Sequence, residues 1–246
     1  MTSSRRPVLI TGSSRGIGAA IARSLAKRGW TPLIAFRSSE AEAQAVASET
    51  GGIACPFGAD LSTEEACRVL WDWASGIGPI SALVNNAGVY RPVSFADSSF
   101  EDLATNVTHQ LETNFLSAVW LAKMFVDQAP RGAKILNVCS RVGFRGEPGA
   151  AGYAASKAAE INLVRSLAVE LAPKGIGVFG IAPGWVETAM TREGMEARKP
   201  EILAGIPLGR VATVEDCGET AAFLLSDEAA YLSGVVVDIN GASYFH

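Results

Sequence analysis

Short apolar runs alternate with longer amphipathic stretches along the whole chain. The short runs are apolar at consecutive positions, which is typical of strands buried on both faces. The longer stretches repeat their apolar positions with a helical period, which predicts helices with one buried face. The predicted strands are PVLIT, TPLIAF, GIACPF, SALVNN, KILNVCS, GVFGIAP and VVVDIN. The predicted helices are GIGAAIARSLAKRG, SEAEAQAVASET, STEEACRVLWDWA, the span 100–128, YAASKAAEINLVRSLAVELA and VEDCGETAAFLL.

The regular alternation of strand and helix predicts an α/β fold with one parallel sheet. Helices on both faces would cover about seven strands in a doubly wound, Rossmann-type arrangement. No linker, repeat or low-complexity stretch divides residues 1–246, so a single domain is expected. Two helix starts carry capping-box patterns, Ser62 with Glu65 and Thr213 with Asp216.

One stretch departs from the alternation. Residues 188–209, TAMTREGMEARKPEILAGIPLG, mix polar and apolar side chains and follow the pair Pro183-Gly184. Mixed charges and scattered apolar side chains are typical of a segment outside the core. The sequence therefore predicts a mobile lid over this region rather than a further core element.

The composition excludes several classes of protein. Apolar residues make up 48% of the 246 residues and charged residues 19%, which is typical of a globular domain. The net charge is −4 and no run is rich in Lys or Arg, so no nucleic-acid partner is expected. No apolar stretch reaches the ~20 residues of a membrane span. The apolar run near the N-terminus is too short for a signal peptide, and we expect a cytoplasmic protein.

The cysteines and histidines are expected to be structural. Neither a CxxC pair nor a His at metal-ligand spacing accompanies the four cysteines, Cys55, Cys67, Cys139 and Cys217. Reduced thiols and no metal site are therefore predicted. The two histidines, His109 and His246, have no partner at catalytic spacing.

The turn between the first strand and the first helix, TGSSRGIG (11–18), is rich in glycine. Glycines let the backbone turn tightly and approach a bound group closely. The following helix start offers free N–H groups and the positive end of its dipole to an anion. The spacing is GxxxGxG, which differs from the GxGxxG of the general dinucleotide fingerprint. We expect the pyrophosphate of a dinucleotide to bind here, on Gly12, Ser14, Arg15, Gly16, Ile17 and Gly18.

The end of the second strand predicts which dinucleotide binds. An acidic residue there bonds the ribose 2′-hydroxyl of NAD, whereas a basic one accommodates the 2′-phosphate of NADP. This chain reads Ala-Phe-Arg-Ser-Ser at 35–39, with no acid before Glu40. Arg37, together with Arg15 in the glycine-rich turn, therefore predicts NADP(H) as the cofactor.

Two side chains with acid–base chemistry share one face of a predicted helix. Tyr153 and Lys157 are spaced i, i+4, and a nearby ammonium favours a phenolate. Such a pair suits general acid–base work on an alcohol or a carbonyl. Ser140 ends the fifth predicted strand, where its hydroxyl can donate to a carbonyl oxygen. Asn114 lies on the long helix before that strand, and NNAG (85–88) ends the fourth strand beside the expected cofactor crevice.

The motifs TGSSRGIG, NNAG, Ser140 with YAASK, and PGWVET resemble those of the short-chain dehydrogenase/reductase family. They occur in that family's order and spacing, and the resemblance spans essentially the whole chain. It implies that Tyr153 is the general acid in reduction and that Ser140 orients the carbonyl. It also implies that Lys157 bonds the nicotinamide ribose and lowers the pKa of Tyr153, and that Asn114 holds a water in a proton relay.

The same resemblance implies further cofactor contacts and an assembly. Asp60 is expected to contact adenine, Asn86 and Gly88 to flank the adenosine side, and Thr188 to contact the carboxamide. A homotetramer is expected through a pair of long helices. The remaining residues expected at the cofactor are Tyr153, Lys157, Pro183, Gly184 and Val186.

Within the family the chain is most similar to 3-oxoacyl-carrier-protein reductases, on IPLGRVATVED, TNFLSAVWLAK and the C-terminal SDEAAYLSGVVVDINGASYFH. This similarity implies reduction of a 3-oxoacyl thioester, with Lys174 and Arg131 as a basic rim beside the pocket for an acidic acyl carrier protein. Two alternatives stay open. One is a ketoreductase or alcohol dehydrogenase acting on a free small-molecule ketone or polyol. The other is a non-catalytic NADP-binding sensor, which the complete catalytic set disfavours.

Overall fold

The strands of the chain form one sheet. The computed structural model describes residues 6–246, apart from the side chains at positions 193 and 197. The strands are β1 (Arg6–Ile10), β2 (Trp30–Ile34), β3 (Ile53–Ala54), β4 (Ala82–Asn85), β5 (Lys134–Val138), β6 (Gly177–Pro183) and β7 (Val236–Ile239). They lie in the order β3-β2-β1-β4-β5-β6-β7, and all neighbours are parallel. The predicted fold class is confirmed.

Helices cover the sheet in two layers. They are α1 (Gly16–Lys27), α2 (Glu40–Thr50), α3 (Glu64–Ile77), α4 (Phe100–Gln110), α5 (Ser117–Gln128), α6 (Ala151–Leu171), α7 (Arg192–Ala204) and α8 (Val214–Leu224). α1 packs against α2 and α8, whereas α3 packs against α5 and α4 against α6. Every residue of β4 and β5 is buried. Burial on both faces explains why these strands are apolar at consecutive positions.

The span predicted as one helix over 100–128 is interrupted. A π-helical turn, Leu111–Leu116, separates α4 from α5. Such turns are rare and occur mostly at functional sites. Asn114 lies within this turn and is completely buried. The apolar period continues through the interruption, so the sequence pattern does not reveal it.

Two element boundaries differ from the prediction. The predicted third strand, GIACPF, pairs with β2 only over Ile53–Ala54. Pro56 lacks an N–H to continue the ladder, which explains the early end. α6 begins at Ala151, slightly before the predicted start at Tyr153.

One predicted helix cap is wrong by one residue and the other is confirmed. α3 is capped by Thr63, whose hydroxyl accepts from the N–H of Ala66 at 3.2 Å, and not by Ser62. At the start of α8, Thr213 and Asp216 form the predicted reciprocal capping box.

The predicted lid, 188–209, is largely helical. α7 occupies its middle, with a kink at Arg198 just before Pro200. The apolar side chains of Met195, Ile202 and Ile206 are buried in a small cluster of their own, outside the main core. The expectation of an irregular segment is therefore wrong over α7, whereas a lid role for 188–209 stays a prediction.

Three observations concern only the part of the chain that the structure describes. No helix there is both long and apolar enough to cross a membrane. Residues 6–246 likewise contain no cluster of acidic, histidine and cysteine side chains that would bind a metal. All four cysteines are free and buried.

Candidate active site

The side chains predicted to form a site collect at one edge of the sheet. The turn after β1 and the residues after β4, β5 and β6 all follow the carboxyl ends of parallel strands, which meet at this edge. Chain order also reverses here, since β1 has β2 on one side and β4 on the other. Open α/β sheets bind ligands in the crevice at such a point.

The turn between β1 and α1 requires its glycines, either for their backbone conformation or for lack of room for a side chain. Gly12 and Gly16 have φ values of +61° and +58°, a left-handed conformation that glycine adopts without strain. A Cβ atom on Gly18 would lie 2.5 Å from Nδ2 of Asn86 and 2.6 Å from the carbonyl oxygen of Gly12. The close approach of this turn to the end of β4 therefore depends on the glycines.

Asn86 holds the glycine-rich turn in place. Its Nδ2 donates to the carbonyl oxygens of Thr11 at 2.8 Å and Gly12 at 2.9 Å. In return the Thr11 hydroxyl accepts from the backbone N–H groups of Asn86 at 3.0 Å and Ala87 at 2.9 Å. Both N–H groups of the Asn86 amide therefore bind backbone carbonyl oxygens, so Asn86 supports the cofactor site by fixing the shape of the turn.

The start of α1 is open to an anion. Arg15 at its N-cap makes no side-chain capping hydrogen bond, so no side chain of the described residues serves as its N-cap acceptor. The atoms nearest to a Cβ position on Gly16 belong to Thr188, at 3.7 Å. An uncapped helix start at a glycine-rich turn is the arrangement that binds the pyrophosphate of a dinucleotide. Ser14 and Ile17, also predicted at the cofactor, are buried and half-buried in the same turn.

The end of β2 carries the residues predicted to select the cofactor. Phe36 is buried, whereas Arg37 is exposed just beyond it, as is Arg15 in the glycine-rich turn. Burial raises the pKa of the Asp60 carboxyl, but hydrogen bonds from Ser62 and the charge of Arg37 shift that pKa below its ordinary value. Arg37 therefore acts on the region predicted to hold the adenosine, where a guanidinium suits a 2′-phosphate.

Tyr153 and Lys157 lie on one face of α6, as their spacing predicts. The Lys157 Nζ is 5.8 Å from the centre of the Tyr153 ring. Ser140 follows β5 and is close enough to the phenol to lower its pKa. The Ser140 Oγ also accepts from the N–H of Val142 at 3.2 Å, which fixes it at the start of a short 3-10 turn. The structure thus brings the three predicted catalytic side chains together.

The pKa of Tyr153 is raised. Burial raises it most, the charge of Lys157 and the Ser140 hydroxyl lower it, and Glu160 and Cys139 raise it further. The predicted direction of the Lys157 effect on this pKa is confirmed, and burial outweighs that effect in the net shift. A phenol with a raised pKa keeps its proton at neutral pH, which is the form needed by a general acid.

The sequence interpretation missed Glu160. This residue lies one turn beyond Lys157 on α6, and its Oε2 is 2.7 Å from the lysine Nζ. The side chains of Lys157 and Glu160 are only 4% and 1% exposed, so the ion pair is buried. The Nζ also donates to the carbonyl oxygen of Val138 at 2.9 Å. Opposite charges at i, i+3 on a helix were the signal that points to this pair.

Asn114 binds backbone and a neighbouring side chain rather than solvent. Its Nδ2 donates to the carbonyl oxygen of Val89 at 3.1 Å and to the Ser156 Oγ at 2.9 Å, and its Oδ1 accepts from the N–H of Val89 at 2.8 Å. The residue therefore fixes the loop after β4 against α6. A water relay through Asn114 stays a prediction.

Gly88 lies at the catalytic end of the site. A Cβ atom on it would be 3.3 Å from Oδ1 of Asn114 and 3.6 Å from Nζ of Lys157. The expectation that Gly88 flanks the adenosine side is corrected accordingly, because the loop after β4 turns toward α6. Any larger residue at this position would fill space beside the lysine.

The segment after β6 forms the opposite wall. Pro183 ends the strand, and a Cβ atom on Gly184 would lie 3.0 Å from the Cβ of Asn240, so close packing against the chain after β7 requires the glycine. Val186 is buried and forms an isolated parallel bridge to the segment before α8. These contacts hold Thr188 opposite the glycine-rich turn.

Known proteins share these features along the whole chain. A family model described as enoyl-(acyl carrier protein) reductase matches residues 12–242. The chain is 38% identical over 242 residues to the 3-oxoacyl-[acyl-carrier-protein] reductase of Escherichia coli K12, which covers 96% of both proteins. The Aquifex aeolicus protein of the same name is 35% identical over 243 residues, with the same coverage. The chain belongs to the short-chain dehydrogenase/reductase family.

Solved structures of this family superimpose closely. A Burkholderia cenocepacia short-chain dehydrogenase in complex with NADP is 30% identical, with a TM-score of 0.89 over 97% of both chains. A 3-oxoacyl-[acyl-carrier protein] reductase from Brucella melitensis in complex with NAD is 26% identical, with a TM-score of 0.89 over 98% of both chains. Both cofactors therefore occur among the relatives, and the choice depends on individual residues.

In this short-chain dehydrogenase/reductase an aromatic ring packs against Tyr153, and the charges of an ion pair act on that ring. The Tyr90 and Tyr153 rings meet edge to face, with centres 5.0 Å apart. Burial raises the pKa of Tyr90, as does the charge of Glu147, while Arg198 lowers it. Arg198 lies 3.9 Å from Glu147. Helix α7 thus contacts the segment between β5 and α6, and its Arg198 acts on Tyr90.

Proposed function

We propose that this chain reduces a 3-oxoacyl thioester to the 3-hydroxyacyl thioester with NADPH. The observation that carries the proposal is the group of Ser140, Tyr153 and Lys157 at the carboxyl edge of the sheet, in which Ser140 and Lys157 are buried and Tyr153 is half-buried. It occurs in a chain that is similar to 3-oxoacyl-carrier-protein reductases over nearly its full length. The raised pKa of Tyr153 supports reduction, because the acid must hold a proton to donate.

The chain is an NADP-dependent oxidoreductase that interconverts a CH–OH group and a carbonyl. When bound, NADPH supplies the hydride that reduces the carbonyl carbon. The protein has to bind the reactants, orient them and provide the proton. Its own side chains account for each of these tasks.

Three side chains handle the carbonyl oxygen and the cofactor ribose. Ser140 donates a hydrogen bond that orients the carbonyl, and Tyr153 transfers its proton to the carbonyl oxygen as negative charge develops there. Lys157 has three N–H donors, of which Glu160 and the carbonyl oxygen of Val138 take two. The third is left for the ribose hydroxyls of the cofactor.

The cofactor contacts follow from the same proposal. Arg37 and Arg15 bind the 2′-phosphate and give the preference for NADPH, and Asp60 borders the adenine. Thr188 contacts the carboxamide from the segment after β6. The pyrophosphate and the remaining cofactor surface are contacted by Gly12, Ser14, Gly16, Ile17, Gly18, Pro183, Gly184 and Val186.

An open groove between the segments that lead away from Tyr90 and toward Tyr153 in the chain suits an acyl chain. It has a volume of about 570 Å³ and lies between two loops, 92–96 after β4 and 148–149 before α6. Its lining includes the apolar side chains of Pro92, Val93, Phe95 and Pro148. Pockets for apolar ligands are lined in this way. The Phe95 side chain is 72% exposed, so the groove borders on solvent.

The predicted basic rim for a carrier protein lies elsewhere than expected. Lys174 precedes β6 and Arg131 precedes β5, so both lie at the amino edge of the sheet, opposite Tyr153. The two are neighbours there, since the Arg131 side chain packs on Gly175. Within one protomer they are not beside the pocket. The prediction overlooked that α6 runs antiparallel to the strands and carries the chain from one edge to the other.

Assembly through α6 would restore the rim to an active site. A two-fold axis perpendicular to α6 makes the paired helices antiparallel, which sets the Lys174 end of one helix beside the Tyr153 end of its mate. Val169 on α6 is 80% exposed, an apolar side chain available for such a contact. We therefore keep the homotetramer and the acyl carrier protein as linked parts of the proposal. A cytoplasmic location likewise stays a prediction.

The alternative is a ketoreductase that acts on a free small ketone or polyol. The groove beside Tyr90 is open enough for either substrate. A non-catalytic NADP-binding sensor is disfavoured by the assembled catalytic group.

A comparison of substrates distinguishes the thioester reductase from the two alternative functions. NADPH consumption is measured with an acetoacetyl thioester, cyclic ketones, sugars and diketones, at low and high salt. A carrier-protein substrate should show a salt-sensitive KM, and Lys174→Glu should raise that KM without changing kcat for a small ketone. Inert thioesters beside rapid turnover of a free ketone would contradict the proposal, and inactivity on the whole panel would favour the sensor. Light scattering tests the tetramer, which a monomer mass would refute.

A further inference from the structure

Glu160 is an unusual residue in this protein. Among the side chains that the structure describes, it is the only buried acid. It lies on α6 with 1% of its side chain exposed, and its carboxylate accepts a hydrogen bond from Nζ of Lys157 at 2.7 Å. The roles assigned to Ser140, Tyr153 and Lys157 make no use of it.

Burying this carboxylate is costly, and stability alone does not explain it. Removing two charges from water costs several kcal/mol per ion, and apolar residues of similar volume often stabilise a core as well or better. Ile161 and Val164, the next buried positions on α6, are apolar. A carboxylate in this setting is therefore best explained by what it does to the lysine.

A second buried lysine provides an internal reference. Lys134, at the start of β5, is 5% exposed and pairs with Asp227 at 2.7 Å. Asp227 is itself 74% exposed, and the bond from Lys134 lowers its pKa. For Glu160 the direction is opposite, because burial raises its pKa more than Lys157 lowers it. Only at the active site is the counter-ion kept away from water.

We propose that Glu160 is a positioning residue of the active site: its buried carboxylate holds the Lys157 ammonium and partly offsets its charge, so that Tyr153 keeps the proton it donates. The inference rests on the proposed reductase function. The proton affinity of Tyr153 can nevertheless be measured without any substrate.

The direction of the effect follows from the charges. An ammonium alone beside Tyr153 favours the phenolate, whereas a carboxylate beside the ammonium favours the neutral phenol. Both act on Tyr153 in these directions. The other titratable group acting on the phenol is Cys139 at the end of β5, which is buried and whose own pKa is raised by burial. Arg165, further along α6, acts on Cys139. Glu160 is thus the one acidic side chain shown to oppose Lys157 at the phenol.

The substitution Glu160→Gln tests the proposal, because it keeps the shape and removes the charge. The alkaline limb of kcat for reduction should move to lower pH by about 1 unit, in line with shifts of 1–3 units from nearby charges. Glu170→Gln, at an exposed position on the same helix, is the matched control and should leave the limb in place. Glu160→Asp keeps the charge and should restore the limb toward its position in the unchanged protein. An unshifted limb in Glu160→Gln, or a shift upward, would overturn the proposal.

A substrate-free titration separates this proposal from the proposed function. Phenolate absorbance is recorded against pH for the cofactor-free protein and for Tyr153→Phe, and the difference isolates Tyr153 from the other three of the four tyrosines. Tyr153 should ionise at a lower pH in Glu160→Gln than in the unchanged protein, whereas Glu170→Gln should leave its ionisation in place. If Glu160→Gln does not fold, the same titration is made on Glu160→Met, which replaces the carboxylate by an apolar side chain of similar volume, and an unchanged or higher ionisation pH of Tyr153 contradicts the proposal.

Discussion

A buried lysine lies near each end of strand β5, Lys134 at its amino end and Lys157 of α6 beyond its carboxyl end. The two lysines differ in the surroundings of their acidic partners. At the amino end, Lys134 reaches out to Asp227, which lies in water. Beyond the carboxyl end, Lys157 meets Glu160 in the core and donates to the last carbonyl oxygen of the strand, on Val138. The Lys134–Asp227 pair lies at the solvent-exposed amino edge of the sheet. The Lys157–Glu160 pair is buried beside the groups that are proposed to carry out the reaction.

The difference shows that the surroundings of a lysine decide its role. Water screens the pair at the amino end, so its contribution is confined to stability. Exclusion of water at the carboxyl end lets each charge act on the next, from Glu160 to Lys157 to Tyr153. We therefore expect substitutions at the carboxyl edge to change chemistry and those at the amino edge to change stability. The following predictions test that division, from the largest effect to the smallest.

The largest effect after the catalytic tyrosine is expected from Ser140→Ala. Losing the donor to the developing oxyanion should lower kcat by about 10²–10³-fold, with little change in NADPH affinity. Steady-state kinetics and fluorescence titration with NADPH measure the two quantities. Ser166→Ala, at an exposed position on α6, should behave as the unchanged protein. A kcat within a few-fold of normal would exclude Ser140 from the reaction.

Arg37→Ala should separate the two cofactors. Loss of a charge-assisted bond of roughly 1.5–3 kcal/mol predicts a fall of about ten- to a hundredfold in kcat/KM for NADPH. The value for NADH should change far less, because NADH has no 2′-phosphate. Arg68→Ala on α3 serves as the control. Equal losses with both cofactors, or a clear preference of the unchanged protein for NADH, would contradict the role of Arg37.

The lid contact should have a modest effect. Arg198→Ala removes the ion pair to Glu147, and exposed pairs contribute at most about 1 kcal/mol, so KM for the ketone should rise by no more than about fivefold. Arg192→Ala on the same helix is the control. A large fall in kcat would show instead that α7 takes part in aligning the reacting groups.

The smallest effect on catalysis is expected at the amino edge. Asp227→Asn should leave kcat unchanged and lower Tm by about 2–4 °C, as expected for about 1 kcal/mol in a domain of this size. The pKa of Asp227 is lowered by Lys134 in the folded protein, so this stabilisation is present above the unfolded value of ~3.9 and is lost as the pH falls through the folded value. The Tm difference should therefore vanish on acidification. A changed pH profile of kcat in Asp227→Asn would contradict the expectation that substitutions at the amino edge affect stability alone.

The sequence predicted most of the sheet and the catalytic group, because consecutive apolar runs and the Tyr153–Lys157 spacing depend on local geometry alone. It did not predict Glu160, since nothing in a helical pattern says that an acidic position will be enclosed by the packing of neighbouring elements. The lid helix was missed because Pro200 and many charges hide the spacing of Met195, Ile202 and Ile206. The location of Lys174 was wrong because it requires the direction of α6 relative to the strands.

The central claim is that Tyr153 is the acid of a buried reductase site, and Tyr153→Phe tests it most directly. This change keeps the ring and its edge-to-face contact with Tyr90 and removes only the hydroxyl. The predicted result is a fall in kcat of ~10²-fold or more, with NADPH binding retained by fluorescence titration and with Tyr231→Phe, an exposed tyrosine, fully active. Near-normal turnover by Tyr153→Phe with the same ketone would contradict the claim.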